Sequence, residues 1–264
     1  NDDQSLEPAI VRYHGVICSK MLPPMSRPPS RAAMVRQRPY IRQGITVTGL
    51  GTEYFSKCVQ GMEQVYLAFV NTMSEGSMDE WNPSSYKDYL AIESHSRYFS
   101  KVPSTTVTAA VAFTSLEDPS GVLQSMEGDG FMHTADNVVE YRSRIVNQQT
   151  STAQYKHISP QNFRVGDIVE VSIAFSAYPC ANNKVKFVPK LEGILLLNQE
   201  HRDTAAILKM RDRVKKVPTL PNKKRKTLYP DEEQIEETNK RMALMNISDG
   251  RKEVNGSGDN MDTA

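Results

Sequence analysis

The hydrophobic and polar positions of this chain change their period several times, and the clearest pattern is strict alternation in the second half. Residues 166–178 alternate between apolar and polar side chains, which predicts a β-strand with one buried face. Pro179 ends the run, and Asn182 and Asn183 tolerate the left-handed conformation that tight turns require. Alternation resumes at Lys184 and continues toward Leu197. The pattern therefore predicts a long antiparallel hairpin. Its apolar face carries Val169, Val171, Ile173 and Phe175, and its polar face carries Glu170, Ser172, Ala174 and Ser176.

A helical period occupies residues 53–73. Apolar side chains recur there at spacings of three and four, which places them on one face of a helix. Gly61 lies inside this run, and a helix-interior glycine costs about 1 kcal/mol relative to alanine. We therefore expect an amphipathic helix packed on a sheet. Its buried stripe comprises Phe55, Val59, Met62, Tyr66, Phe69 and Met73.

Shorter patterns fill in the remaining elements. Residues 44–48 are rich in β-branched side chains and predict a short strand, as do residues 105–113 and 138–146. Ser84 or Ser85 could cap a short helix that runs through Ile92. Beyond residue 200 the helical period returns in an apolar stripe up to Pro218, and Pro230 stands at a favourable first position for another helix.

The N-terminal segment has the composition of an extended arm. Residues 21–31 contain four prolines, which remove backbone donors and disfavour a helix. Residues 8–52 hold seven basic side chains and neither Asp nor Glu. We predict a basic, proline-rich arm over residues 1–43. Its candidate phosphate contacts are Arg36, Arg38 and Arg42.

Charge is strongly segregated although the net charge is only +1. Residues 53–200 hold 17 acidic and 11 basic side chains, whereas residues 201–229 hold ten basic and two acidic ones. Basic blocks attract polyanions because neutralised phosphates release condensed counterions. The plain alternative is that both basic blocks are solvated linkers whose charge only keeps the chain in solution.

The second basic block contains the strongest short motif of the sequence. Four consecutive cations, Lys223, Lys224, Arg225 and Lys226, follow Pro221 and Asn222. Such a run is typical of a nuclear import signal or a nucleic-acid patch, although short basic runs also arise by chance. An upstream helix adds a basic stripe that supports either interpretation. That stripe comprises Lys209, Arg213 and Lys216.

The hairpin carries a further candidate surface near its turn. Aromatic and basic side chains together bind single strands by base stacking and phosphate attraction. Tyr178, Lys184, Lys186 and Lys190 have this character. In the competing interpretation, Phe187 is core, Tyr178 closes the rim of a barrel, and the lysines protect a sheet edge.

No catalytic, metal or cofactor motif accompanies these features. His133 and Asp136 lie three residues apart, but a facial metal site needs two histidines and a carboxylate, so a loop-capping histidine is the better interpretation. Gly49-Leu50-Gly51 lacks the remainder of a dinucleotide loop. We expect a non-enzymatic protein without cofactor or metal, and no stretch is long and apolar enough for a membrane helix.

Two sets of segments resemble known groups of proteins. The segments 118–123, 131–138 and 163–171 resemble a set of uncharacterised proteins of mushroom-forming fungi, over roughly residues 40–200. That resemblance implies no activity. Separately, residues 166–197 are similar to the last hairpin of phage-type OB-fold single-stranded-DNA-binding proteins. They depart from that pattern at Pro179 and Pro189, and the lysine-glycine step after the turn is missing.

Together these patterns predict an α+β protein with an antiparallel, OB-like barrel, a packed amphipathic helix and a helical C-terminal extension. The expected domains are the arm (1–43), a compact domain (44–200), a charged helical extension (201–245) and a disordered tail (246–264). We expect a nuclear protein that binds single-stranded or non-specific DNA in a salt-sensitive manner and engages an import receptor. The alternative is a protein-interaction or scaffold module with the same nuclear signal. Its amphipathic partner helix would present Ile235, Met242 and Met245.

Overall fold

The computed structural model describes residues 8–27, 29–103, 109–146, 152–216 and 232–248. Contacts divide the chain into two compact units, Asn1–Met210 and Arg211–Ala264. The strands of the described residues are β1 (Ile10–Met21), β2 (Arg42–Thr48), β3 (Ser84–Tyr86), β4 (Tyr89–Arg97), β5 (Ser100–Lys101), β6 (Phe131–Met132), β7 (Glu140–Val146), β8 (Ala153–His157), β9 (Ile168–Pro179) and β10 (Val185–Asn198). The α-helices are α1 (Arg31–Gln37), α2 (Glu53–Thr72), α3 (Glu200–Lys216) and α4 (Glu232–Ser248).

Eight strands form one large sheet in the order β3-β4-β2-β1-β9-β10-β7-β8. The predicted hairpin is confirmed as β9 and β10, which pair antiparallel from Ile168↔Asn198 to Pro179↔Val185. The mixed α+β architecture with a large antiparallel sheet is also confirmed. The hairpin forms because its apolar face meets the same core that α2 covers.

Five of these strands pair in a circuit. β4 pairs with β2, β2 with β1, β1 with β9, and β9 with β10, all antiparallel. β10 then meets β4 again through a parallel pairing of Lys190 with His95. The first and last strands of the row are thereby brought side by side.

The N-terminal segment differs from the predicted arm. Residues 10–21 form β1, which pairs with β9 through its first half and with β2 through its second. Tyr13 and Ile17 point into the core and are almost completely buried. Composition suggested an arm because the prolines and arginines that follow dominate the segment. Pro23, Pro24 and Pro29 lie beyond the end of the strand, where they do not interrupt its hydrogen bonds.

Two further elements differ from the predictions. Residues 84–92, expected as a short helix, form β3 and the start of β4, because pairing with β2 outweighs the local capping signal. Lys87 at the turn between them has a positive φ of 53°. Within the predicted strand 105–113, residues 105–108 lie outside the described part, and residues 109–113 pair in no strand.

The main core lies between α2 and the inner face of the circuit. Helix α2 buries Phe55, Val59 and Met62 of the predicted stripe, whereas Tyr66 and Phe69 are half-buried and Met73 lies just beyond the helix and is exposed. The three buried side chains belong to one cluster with buried residues of β1, β2, β4, β7, β9 and β10, among them Ile45, Ile92, Val171 and Leu191.

A second, smaller core holds the connection between β1 and β2. Tyr98, Phe99, Leu123 and Met126 form this cluster, and partly buried side chains of the connection pack against it. Those side chains are Met25, Met34 and Ile41. Through these three side chains, the connection between β1 and β2 packs against the second core.

Two glycines differ in the space that an added Cβ atom would find. A Cβ at Gly15 would lie 2.5 Å from Val47 Cγ1 and 2.9 Å from the carbonyl oxygen of Thr48, whereas a Cβ at Gly61 would meet no atom within 4 Å. Gly15→Ala should therefore destabilise the fold by about 1–3 kcal/mol. Gly61→Ala should stabilise it by about 0.5–1 kcal/mol, since alanine favours a helix interior.

Urea unfolding of the two variants beside the parent chain measures both free energies. An unchanged midpoint for Gly15→Ala would contradict the close approach of β1 and β2.

Candidate nucleic-acid interface

Three cations converge on one face of the circuit. Arg42 begins β2 and Arg97 ends β4, and the two arginines occupy directly paired positions of the antiparallel ladder. Lys186 lies near the start of β10, the strand that meets β4 at His95. Like charges opposite one another destabilise a sheet, so this arrangement needs a compensating reason. A bound anion would supply one.

Tyr178 joins this cluster from β9. It pairs directly with Lys186, and the guanidinium carbon of Arg97 lies 5.2 Å from the centre of its ring. Such a cation–π contact is worth about 0.5–1 kcal/mol at an exposed site. The contact links the end of β4 to the hairpin and leaves Arg97 largely exposed.

Two neighbouring cavities make the face concave. One, of about 280 Å³, is lined by Tyr40, Arg97, Tyr178 and Cys180 among others. The other, of about 310 Å³, lies beside Trp81. Arg42, His95, Lys186 and Val188 line both cavities. We call this combined depression the cation groove and define it by Arg42, His95, Arg97, Tyr178 and Lys186.

The groove has two chemically different halves. The half around Tyr40 and Tyr178 is aromatic and cationic. The half around Trp81 also carries the carboxylates of Asp79, Glu80 and Glu93. A polyanion would therefore be attracted mainly to the aromatic half.

His95 lines both cavities of the groove, and its pKa reflects the positive electrostatic potential there. Its Nε2 is 3.2 Å from Nη1 of Arg42. Because a guanidinium only donates hydrogen bonds, Nε2 is the acceptor and the neutral ring carries its proton on Nδ1. Burial lowers the pKa of His95 to about 4, with further contributions from the positive charges of Arg42, Lys186 and Arg97.

Tyr40 supplies the most exposed ring of the groove. Its residue is 72% exposed. Its backbone N–H donates to the carbonyl of Gln37, and the adjacent Ile41 packs against the second core. A fixed backbone with a free ring is a suitable platform for stacking.

Several predicted contacts are used within the protein instead. Arg38 is buried, and its Nη1 lies 2.7 Å from Asp129 and donates to the carbonyl of Gly128. This corrects its assignment as a phosphate contact. Lys190 Nζ lies 2.9 Å from Glu192, and Lys184 Nζ lies 3.4 Å from Asp79. Both remain beside the groove with much of their charge compensated.

Two further basic residues of the N-terminal block also bind within the protein. Lys20 donates to the carbonyl oxygen of Phe163, and Arg12 lies 3.9 Å from Glu170. Arg36 is exposed on α1. Among the described basic side chains of residues 8–52, Arg42 is the one that lines the groove.

The C-terminal candidates lie on α3 and in the segment that follows it. Lys209 and Arg213 are exposed on α3, but they fall in different compact units. Lys216 ends α3, and its side chain lies outside the described part, as do Lys223, Lys224, Arg225 and Lys226. Their assignments stay predictions.

Sequence reasoning missed Arg97, His95 and Tyr40. The run Glu93, His95, Arg97 places polar side chains on one face of β4, and this alternation was the available signal. The predicted helix over residues 84–92 covers the first part of β4, so the alternation that continues to Arg97 was not interpreted as a strand. Nothing local indicated that this strand lies beside β10.

The remaining candidate residue, His133, has a structural role, and the described residues contain neither a group of metal ligands nor a membrane helix. His133 is buried, its Nδ1 lies 2.8 Å from the carbonyl oxygen of Tyr98, and its ring stacks on Phe113. No group of three or more metal-type ligands occurs in the described part of the chain. None of the helices described there is long and apolar enough to span a membrane.

The depressed pKa of His95 predicts a pH dependence of folding. Its ordinary value is 6.5 and its folded value about 4. The unfolded chain therefore binds a proton between these values that the folded chain does not. The stability that neutral His95 contributes is present above pH 6.5 and is lost as the pH falls toward 4.

Urea unfolding at pH 7 and pH 5 should show a larger loss of stability for the parent chain than for His95→Gln. In a proton NMR titration, Lys186→Ala should raise the pKa of His95, because one of the facing cations is removed. Equal pH dependence of the parent and the glutamine variant would contradict this electrostatic description.

Comparison with known proteins adds little to this geometry. No protein-family model and no curated protein matches the chain, so the fungal resemblance rests on its motifs alone. The chain is similar, at 10% identity, to the crystal structure of gp2.5, a single-stranded DNA binding protein encoded by bacteriophage T7. The match covers 73% of this chain and 87% of that chain with a TM-score of 0.36, which is too low to carry an argument.

Proposed function

We propose that this protein binds single-stranded nucleic acid in the cation groove, without catalysing a reaction. The observation that carries the proposal is the convergence of Arg42, Arg97 and Lys186 around one half-buried imidazole. Three cations beside two accessible tyrosine rings match what a single strand presents, namely phosphates and unstacked bases.

The order of the strands supports an OB-like interpretation of the circuit. A five-stranded OB barrel binds oligonucleotides on the face of its second and third strands and on the loops after its first and fourth strands. In this chain those elements are β2, β4, residues 22–41 and residues 180–184. Arg42, Arg97 and Tyr40 come from three of them.

The chemistry favours a single strand over a duplex. Stacking on Tyr40 or Tyr178 requires a base whose face is free, and duplex bases are already stacked on one another. The carboxylates beside Trp81 would repel a second phosphate backbone. Phosphate neutralisation with little base readout should make binding steeply dependent on salt.

Substitutions in the groove test this proposal with a labelled oligothymidylate of about ten nucleotides. Arg97→Ala should weaken binding and reduce the slope of log affinity against log salt by about 0.7, the value for one lost phosphate contact. Tyr40→Ala should weaken binding by about 1–3 kcal/mol at every salt concentration, because a stacked base is lost.

Lys57→Ala and Tyr155→Ala are the matched controls, since both side chains are exposed outside the groove. Fluorescence anisotropy at two salt concentrations gives the affinities. Absence of binding by the parent chain at low salt, or equal losses in the control variants, would refute the proposal.

Nuclear location is the second part of the proposal, and the basic run of residues 223–226 supports it. Residues 205–230 fused to a fluorescent reporter should accumulate in the nucleus through an import receptor. The same fusion with all four cations changed to alanine should not. An entirely cytoplasmic parent reporter would remove this part of the proposal.

A protein-interaction module remains the second candidate function. Ile235 and Met242 on α4 are 45% and 63% exposed. The two residues lie seven positions apart and therefore on one face of the helix, the spacing by which an amphipathic helix binds a partner's groove.

A further inference from the structure

The bond between Arg42 and His95 occupies both groups that would otherwise face a ligand. In the unliganded protein the guanidinium donates to Nε2 across 3.2 Å. As long as this bond persists, Nε2 cannot carry a proton, and one N–H of Arg42 points at an imidazole rather than at an anion. Within the described residues His95 Nδ1 is buried without a hydrogen-bond partner, and the carboxylate oxygen of Glu93 is 4.0 Å away.

We propose that His95 is itself a phosphate ligand of the groove and takes up one proton when a single strand binds. This inference rests on the proposed function of the same site. A phosphate oxygen that accepts from Arg42 draws the guanidinium away from Nε2. The freed nitrogen then binds a proton from solvent. The resulting imidazolium N–H donates a hydrogen bond to the phosphate oxygen.

The charges around His95 explain why the proton arrives only with the ligand. Cations face the ring from β2, from β4 itself and from β10, so that a fourth positive charge is disfavoured in the free protein. Bound phosphate supplies the negative charge that offsets them. The charged groups around the ring are Arg42, Glu93, Arg97, Lys186, the Lys190–Glu192 pair, and Asp79 and Glu80 beside Trp81.

Glu93 makes the protonated state more favourable than the cations alone would allow. Its Oε1 lies nearest to Nδ1, the ring nitrogen that keeps its proton in both states. Once the ring is an imidazolium, this carboxylate attracts it directly. The groove therefore selects a phosphate together with a proton, and its affinity should rise as the pH falls.

The experiment uses the full-length chain and a labelled oligothymidylate, because neither thymine nor the phosphodiester titrates between about pH 5 and 8. The affinity of the parent chain should rise about tenfold between pH 7.5 and pH 5.5 when bound phosphate restores the ordinary pKa of His95, and uptake of one full proton over this interval sets an upper limit of about a hundredfold. Calorimetry at pH 6 in two buffers of different ionisation enthalpy should report uptake of up to one proton per bound strand.

His95→Gln should abolish the pH dependence, whereas His157→Gln, on the exposed strand β8, should retain it. The calorimetric result does not depend on whether a variant folds. Binding by the parent chain with a constant affinity and no proton uptake would overturn this inference and leave the proposed function intact. Absence of binding at every pH would overturn both.

Discussion

The single parallel contact between β10 and β4, at Lys190 and His95, decides where the charges of this protein meet. Without it, the two strands would lie at distant positions in the order of the sheet, and Lys186 would be remote from Arg42 and Arg97. With it, five strands close into a circuit and three cations share one concave face. The same contact places an imidazole where it experiences all three charges.

This arrangement separates structural cations from those available to a ligand. Arg38 is buried against Asp129 and helps to hold the connection that carries Tyr40. Arg202 is bound to the fully buried carboxylate of Asp167 and joins α3 to the turn before β9. Arg42, Arg97 and Lys186 instead face one another across strands. In the proposed function, the charge available for binding is therefore defined by position, and not by the net charge of a segment.

The sequence was sufficient for elements whose own residues encode them. The alternation of residues 166–178 and 184–197 and the three-to-four spacing of residues 53–73 predicted β9, β10 and α2, because each depends on one continuous apolar face. It was insufficient for β1 and β4, whose identity depends on neighbours distant in the chain. Arg42 and Arg97 are separated by more than fifty residues, and only strand pairing makes them adjacent. Tyr178 and Lys186 were found because a local turn brings them together.

Location of the bound strand is the most direct test of this account. An oligonucleotide that carries a photoreactive halogenated pyrimidine can be crosslinked to the full-length protein, and the modified peptides can then be mapped by mass spectrometry. The account predicts that the crosslinks fall on Tyr40 or Tyr178, the two rings of the groove. Crosslinks confined to α3 or to residues 223–226, with none in the groove, would contradict it.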